Sequence, residues 1–528
     1  MSSRHVLAIC LALAWILPGL VGHDPWKPDE AYTFGVVYSL LEGGSLLVPY
    51  LAGEPFLDKP PLLHYTAAAT AWLLSPPLAL HNAARLAAGF YMGLTLLLCG
   101  LTGRALHGRG AGTIAMLLLI GAFGLVIRSH QLITDVAALA GFALVYYGCA
   151  RSLRDAWGAL WLGTGVGIVF MAEGRFEAML AAAIAVALVV HPAWRTRRHA
   201  ATMALGALAA LPWLAVWPAL LAHHEPGLYA AWLAEDRATG FPEVAEATFY
   251  ATILPWYAWP LWALGLWSGW RAFQLRRFDT AMALPVIGLA VSFVLVSLAP
   301  EKGELQALPL LLPLALLAAP GVTSLRRGAS NGWYWFGVMG FTFFIVVAWF
   351  YWTALELGVP ARLHAHLHRL QPGYTPGVKA WPLVIGLCYS VAWFVLLARL
   401  KRTAERPAIV WAAGVTVVWA LAAVLFLGWV DTGKTYRGMV RELSAALPAQ
   451  HRCIAGSGVG DSQRAMLHYF GNLRLRRIED RPAACDLLLV QGRTAAEDRP
   501  AGAWRKIWEG SRPGDKSERF RLYQRTGS

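Results

Sequence analysis

The sequence predicts a polytopic α-helical membrane protein that ends in a small α/β domain. Three observations carry this. Of 528 residues, 57% are hydrophobic and only 14% charged, with a mean hydropathy of +0.49, outside the range of soluble globular domains. Apolar runs near the roughly twenty residues that cross a bilayer recur along the chain. Only after Val430 does the chain turn polar.

The apolar runs predict about thirteen spans, over 6–22, 83–103, 111–127, 132–150, 158–172, 177–191, 200–221, 250–270, 281–299, 306–320, 332–354, 380–400 and 408–430. The first follows Arg4 and His5 and has no small-x-small cleavage site before the polar block after it, so it reads as a retained helix. With the N-terminus cytoplasmic, every inside loop is basic: Arg104 and Arg109, Arg151 and Arg154, Arg195 to Arg198, Arg271 to Arg277, Arg326 and Arg327, and Arg399 to Arg406. This is the positive-inside pattern of a bacterial inner (plasma) membrane protein. The net charge of +14 is therefore an orientation signal, dispersed over turns, and nucleic acid is excluded as a partner.

An odd number of crossings places the tail in the periplasm. Residues 1–430 form the transmembrane domain, with a first periplasmic loop at 23–82, and residues 431–528 form a periplasmic domain. In the tail, CDLLLVQG (485–492) reads as a buried strand and GMVRELSAAL (438–447) as a helix. Cys453 and Cys485 are its only cysteines, and an oxidising compartment permits a disulfide that sequence alone does not settle. GSGVGDSQ (456–463) is read as a loop without the strand–GxGxxG–helix setting of a dinucleotide site. Arg474, Arg476 and Arg477 are read as a solvated face.

The ionisable residues left on the outer side form a set. Asp29 and Glu30 follow the first span, Asp58-Lys59-Pro60-Pro61 ends the first loop, Arg128 and Asp135 bracket RSHQLITD, Glu173 and Arg175 share MAEGRFE, and Glu301, Lys302 and Glu304 share one turn. The loop 223–249 adds Arg237 and Glu246, among others. Taken singly, such residues are most often interfacial or stapled to a neighbouring helix. Outward cations, however, run against the topology bias, and an anionic lipid phosphate supplies a reason for Lys59, Arg128, Arg175, Arg237 and Lys302. Carboxylates beside them suit a proton acceptor or a divalent cation.

As an ordered set, Asp29-Glu30, Gly44 to Pro49, Gly53-Glu54-Pro55-Phe56 and Asp58-Lys59-Pro60-Pro61 resemble the GT-C glycosyltransferases that use polyprenyl-phosphate sugars. The bacterial branch of lipid A aminoarabinose transferases and protein O-mannosyltransferase-like enzymes is nearest. ITDVAALAGF and EKGELQALPLLLPLALL extend the likeness over nearly all of the membrane region. The resemblance implies an inverting transferase that moves a sugar from an undecaprenyl-phosphate carrier to a lipid A, glycan or protein acceptor. It implies Asp29 as catalytic acid, Glu30 as its neighbour, Asp135 as a supporting carboxylate, and Lys59 as the carrier-phosphate contact. Arg175 stands where a Lys is common. In aminoarabinose transferases a Glu precedes the motif lysine and a His precedes a Pro-Phe-aromatic run. Here Asp58 and Glu246 hold those places, so a divalent metal, if one is used, would fall to this pair.

His364, His366 and His368 alternate, so that a helix sets only His364 and His368 on one face, and they read as an interfacial amphipathic segment. Tryptophans at span ends, such as Trp256, Trp259, Trp262 and Trp381, form an aromatic belt. The rival function is a transporter or flippase for a lipid-linked anion, which predicts ionisable groups within spans and paired broken helices. A scaffold subunit with a degenerate site is a third.

Overall fold

The computed structural model describes residues 3–235, 248–275, 278–299, 302–477, 485–493, 500, 502–515 and 517–526. Each predicted span falls on helix. From the N-terminus run α1 (Ser3–Ile16), α2 (Asp29–Leu41), the hairpin β1 (Tyr50–Leu51) and β2 (Glu54–Pro55), α3 (Leu62–Leu74), α4 (Leu80–His107), α5 (Arg109–Ile120), α6 (Phe123–Val126), α7 (Thr134–Ser152), α8 (Gly158–Glu173), α9 (Arg175–Ala187) and α10 (Arg197–His224). Then come α11 (Pro226–Glu235), α12 (Phe249–Tyr257), α13 (Leu261–Gln274), α14 (Thr280–Ser297), α15 (Leu308–Ser324), α16 (Arg327–Leu357), α17 (Ala361–Leu370), α18 (Ala380–Arg399), α19 (Arg406–Leu425) and α20 (Leu427–Lys434).

Among the described residues, six helices are long and apolar enough to cross a bilayer: α4, α10, α14, α16, α18 and α19. The pair formed by Arg109–Ile120 and Phe123–His130 passes the same test together but bends by 71° at its break. The predicted span 250–270 is also two pieces, α12 and α13, which break around Pro260, whose missing N–H cannot continue the ladder. The short apolar helices α8 and α15 pack inside the bundle, consistent with helices whose faces meet protein rather than lipid.

The segment between α1 and α4 departs most from expectation. Read as a loop, it holds two helices, α2 and α3, whose apolar faces join the core through Phe34, Val36, Val37, Leu63 and Ala67. The hairpin between them turns through Ala52 (φ 51°) and Gly53 (φ 92°), the positive-φ pair that a two-residue primed turn requires.

The C-terminal domain begins with α21 (Arg437–Ala445). It continues through β3 (Ile454–Ser457), α22 (Asp461–Gly471), β4 (Leu475–Arg477), β5 (Leu487–Gly492), β6 (Trp504–Gly510) and β7 (Arg519–Arg525). The strand order is β4-β3-β5-β7-β6, with β3 parallel to both β4 and β5, and β7 antiparallel to β5 and β6. GSGVGDSQ therefore does join a strand to a helix, β3 to α22, which corrects its reading as a plain loop. Cys453 and Cys485 form a disulfide that ties the start of β3 to the start of β5. One sheet face, with Leu487, Leu489, Phe520 and Leu522, shares an apolar core with α22 and the membrane region, so the tail is fastened to the bundle rather than tethered beside it.

Candidate active site

The N-terminus of α2 sets the site. Asp29 and Glu30 both lie in its first turn, where the helix dipole favours carboxylates. Successive helical residues point about 100° apart, so the two cannot share a target. Asp29 faces a cavity of about 400 Å³ at one end of the bundle. Glu30 faces the core, where Oε1 accepts from Arg85 Nε at 2.5 Å and from the Leu132 amide at 3.2 Å, with both side chains of the pair 1% exposed. Burial works to raise the Glu30 pKa, but the Arg85 guanidinium, His23 and the Trp26 amide outweigh it and hold the carboxyl below its usual range.

The cavity collects side chains far apart in sequence: Asp29 and Tyr32 from α2, Asp58 and Lys59 from the first loop, Asp135 from the first turn of α7, and Glu173 from the end of α8. Glu177, Trp232 and Gln306 complete its polar and aromatic wall. Tyr32, one turn beyond Asp29, donates its hydroxyl to Asp29 Oδ1 at 3.2 Å. Burial and the nearby Asp29 carboxylate push the Tyr32 pKa up, so it stays a donor. Lys59 Nζ lies 2.9 Å from Glu173 Oε2. That carboxylate, opposed by burial and aided by Asp58 and Glu177, holds the ammonium firmly charged.

Gly174 makes this pairing reachable. It lies at φ +104°, a conformation only glycine takes without strain, and it reverses the chain so that α8 ends on Glu173 just as α9 begins on Arg175. Arg175 sits over the Trp232 ring, 5.9 Å from its centroid. A second, mostly apolar recess continues inward from Asp135 and Glu173 past Phe142, Leu180, Val296 and Pro309.

Of the residues expected at the site, Asp29, Asp58, Lys59 and Asp135 are gathered at one cavity. Glu30, Arg128, Arg175 and Lys302 are not among the residues that line it. Arg128 reaches Glu304 at 3.4 Å and Gln131 at 3.3 Å. Lys302 donates to the carbonyls of Ser297 and Ala299, capping α14, where a cation complements the helix end. Arg237 and Glu246 lie outside the described residues. Among the described residues no group of three or more His, Cys, Asp and Glu side chains is arranged to hold a metal ion.

The sequence reading missed Tyr32, Glu177, Trp232 and Gln306, and assigned Glu173 no role. A signal for Tyr32 existed: DEAYTFGVVYSLL reads as a helix, on which residue 32 falls one turn above residue 29.

The soluble domain reaches the same helix. Ser462 Oγ donates to the Pro28 carbonyl at 2.8 Å, and Lys27 Nζ lies 2.6 Å from Glu518. Glu54 of the hairpin bridges the buried Arg464 at 2.6 Å and the exposed Arg477 at 3.0 Å. Gly35 lets α2 touch α22, since an added Cβ would stand 2.5 Å from that of Ala465. Asp461, in the first turn of α22, pairs with Arg464 at 3.2 Å and with Arg477 at 3.1 Å.

No family model matches the chain. The structure aligns with the crystal structure of ArnT from Cupriavidus metallidurans bound to undecaprenyl phosphate, at a TM-score of 0.72 and 16% sequence identity, covering 99% of this chain and 98% of that one. The chain has the GT-C fold. It is an integral membrane protein. In sequence it is 29% identical over 336 residues to undecaprenyl phosphate-alpha-4-amino-4-deoxy-L-arabinose arabinosyl transferase 1 of Sodalis glossinidius, 60% of this chain and 58% of the relative. It is also 29% identical over 346 residues to the corresponding transferase of Edwardsiella ictaluri, 62% and 60% of the two chains. The matched stretch thus spans less than two thirds of these relatives.

Proposed function

We propose that this GT-C protein is an inverting glycosyltransferase of the inner membrane, moving a sugar from undecaprenyl phosphate to an acceptor at the periplasmic face. Its N-terminus is cytoplasmic, residues 1–430 form the catalytic membrane domain, and residues 431–528 lie in the periplasm. The observation that carries the reading is the meeting of Asp29, Asp135 and Lys59 at one outer cavity, on a fold shared with a transferase solved with undecaprenyl phosphate.

Asp29 takes the proton from the acceptor hydroxyl. That oxygen attacks the anomeric carbon on the face opposite the leaving group. The bond from the anomeric carbon to the phosphate oxygen breaks, and undecaprenyl phosphate departs with the electron pair. Lys59 meets the phosphate as a point charge. Asp135 supports the positive charge that gathers on the sugar in the transition state. Tyr32 holds Asp29 in place through its hydroxyl.

Among the described residues the wall of the cavity carries five carboxyl groups, those of Asp29, Asp58, Asp135, Glu173 and Glu177, and one lysine. Such an excess of acidic groups favours a donor sugar bearing an ammonium group, the kind of sugar named for the relatives. Likeness to transferases in both sequence and fold favours this reading over a flippase. The test is transfer from labelled undecaprenyl-phosphate sugars by the purified protein. Loss of transfer in Asp29→Asn with carrier binding retained supports it, and undiminished turnover rejects Asp29 as base.

A further inference from the structure

A second polar cavity, of about 330 Å³, opens at the other end of α2, against the soluble domain. Ser39 and Glu42 line it from the helix end, Ser45 and Tyr50 from the loop that follows, and His468 and Arg474 from the soluble domain. Ser39 stands ten residues beyond Asp29 on one helix, a separation of about 15 Å at 1.5 Å per residue. One rigid element thus carries a wall of each cavity.

The polar groups in the second cavity are not mutually satisfied. His468 Nε2 is 3.0 Å from Glu42 Oε2 and 3.0 Å from Arg474 Nε, while Arg474 Nη2 reaches Glu42 at 3.1 Å. A ring nitrogen cannot donate to the carboxylate and accept from the guanidinium at once. His468, 1% exposed, also leaves Nδ1 without a partner, and the buried Ser39 Oγ has none either. Buried polar atoms are rarely left so, and an incomplete set beside an open cavity marks a place that a ligand completes.

Charge narrows the ligand. Glu42 and Arg474 cancel, and burial keeps His468 from charging. The cavity has no net charge with which to select a phosphate or an ammonium group. It offers a carboxylate, a guanidinium and the hydroxyls of Ser39, Ser45 and Tyr50, a mixture that suits a neutral ligand rich in hydroxyls, and its size is that of a small-molecule site.

We propose that this cavity binds a neutral saccharide unit of the acceptor, at a distance that lets another part of the same acceptor reach Asp29. The proposal rests on the glycosyltransferase reading above, and Arg474, read from sequence as a solvated-face residue, is a ligand contact in it.

The experiment uses the purified full-length protein and N,N′-diacetylchitobiose as probe, observed by saturation-transfer NMR, with undecaprenyl phosphate binding measured on the same samples. Wild type is expected to give saturation transfer, and Arg474→Ala and Glu42→Gln to weaken the disaccharide about tenfold, the worth of a lost charge-assisted hydrogen bond. Carrier affinity is expected to stay unchanged in both variants, and Arg474→Lys to recover part of the loss. Absence of disaccharide binding to wild type, equal binding in all variants, or displacement of the disaccharide by inorganic phosphate overturns the proposal. Failure of wild type to bind undecaprenyl phosphate instead overturns the glycosyltransferase reading, so the two are separable.

Discussion

Lys59 Nζ lies 2.9 Å from Glu173 Oε2, joining the segment just before α3 to the last residue of α8 across the cavity that Asp29 faces. A lipid phosphate that binds Lys59 must therefore share it with a carboxylate already in place.

That competition gives a prediction with opposite signs for two ligands. Glu173→Gln removes the competing charge and is expected to tighten undecaprenyl phosphate itself by about tenfold, while weakening a carrier loaded with an amino sugar, whose ammonium loses a partner. Lys59→Ala should weaken both. Binding of the bare and loaded carriers to each variant checks this, and a change of the same sign for both ligands in Glu173→Gln refutes it.

Asp29 and Glu30, adjacent in sequence, are expected to fail differently. Asp29→Asn should lower turnover by about 10² to 10⁴, the range for a general base, with little change in thermal stability. Glu30→Gln strands the buried Arg85 and should cost about 3–5 kcal/mol of stability. Thermal unfolding beside turnover separates the two, and a stable Glu30→Gln protein that has lost only activity would falsify the structural role.

Two buried groups near α2 titrate in opposition. Burial pulls the His23 pKa down to about 4 and pushes that of Asp431, which accepts from the Trp26 indole and the Asp24 amide, up to about 6. Between these values the unfolded chain carries more protons at residue 23, so that contribution to stability grows as pH rises. At residue 431 the folded chain carries more, so that contribution is complete below the ordinary carboxylate value and is lost as pH rises through about 6. Asp431→Asn should leave the His23 slope alone, giving a steeper climb in melting temperature from pH 4 to pH 6 than in wild type. Parallel curves for the two proteins would remove the assignment.

Ser462 ties the soluble domain to the carbonyl just before Asp29. Ser462→Ala is expected to reduce kcat by about threefold to tenfold through looser placement of Asp29, the cost of one hydrogen bond of about 1 kcal/mol. Carrier affinity should hold, and a kcat equal to wild type at saturating substrates is the contrary result.

The membrane bundle was legible because hydropathy is a property of composition, readable one segment at a time. So was part of the site, since Asp29, Asp58 and Lys59 occur in an ordered motif and Asp135 in a second one. What escaped depended on direction. Glu30 stands beside Asp29 in the chain but 100° away around the helix, and only the packing of Arg85 against it decides that it faces inward. Lys302 and Arg128 each meet a nearer acceptor in place of the cavity. Glu42, His468 and Arg474 come together over more than four hundred residues of sequence, a closure that no local pattern announces.

Three contacts hold the C-terminal domain against the start of α2: Ser462 at the Pro28 carbonyl, Lys27 at Glu518, and Ala465 against Gly35. Removing that domain would take these supports from the helix that carries Asp29.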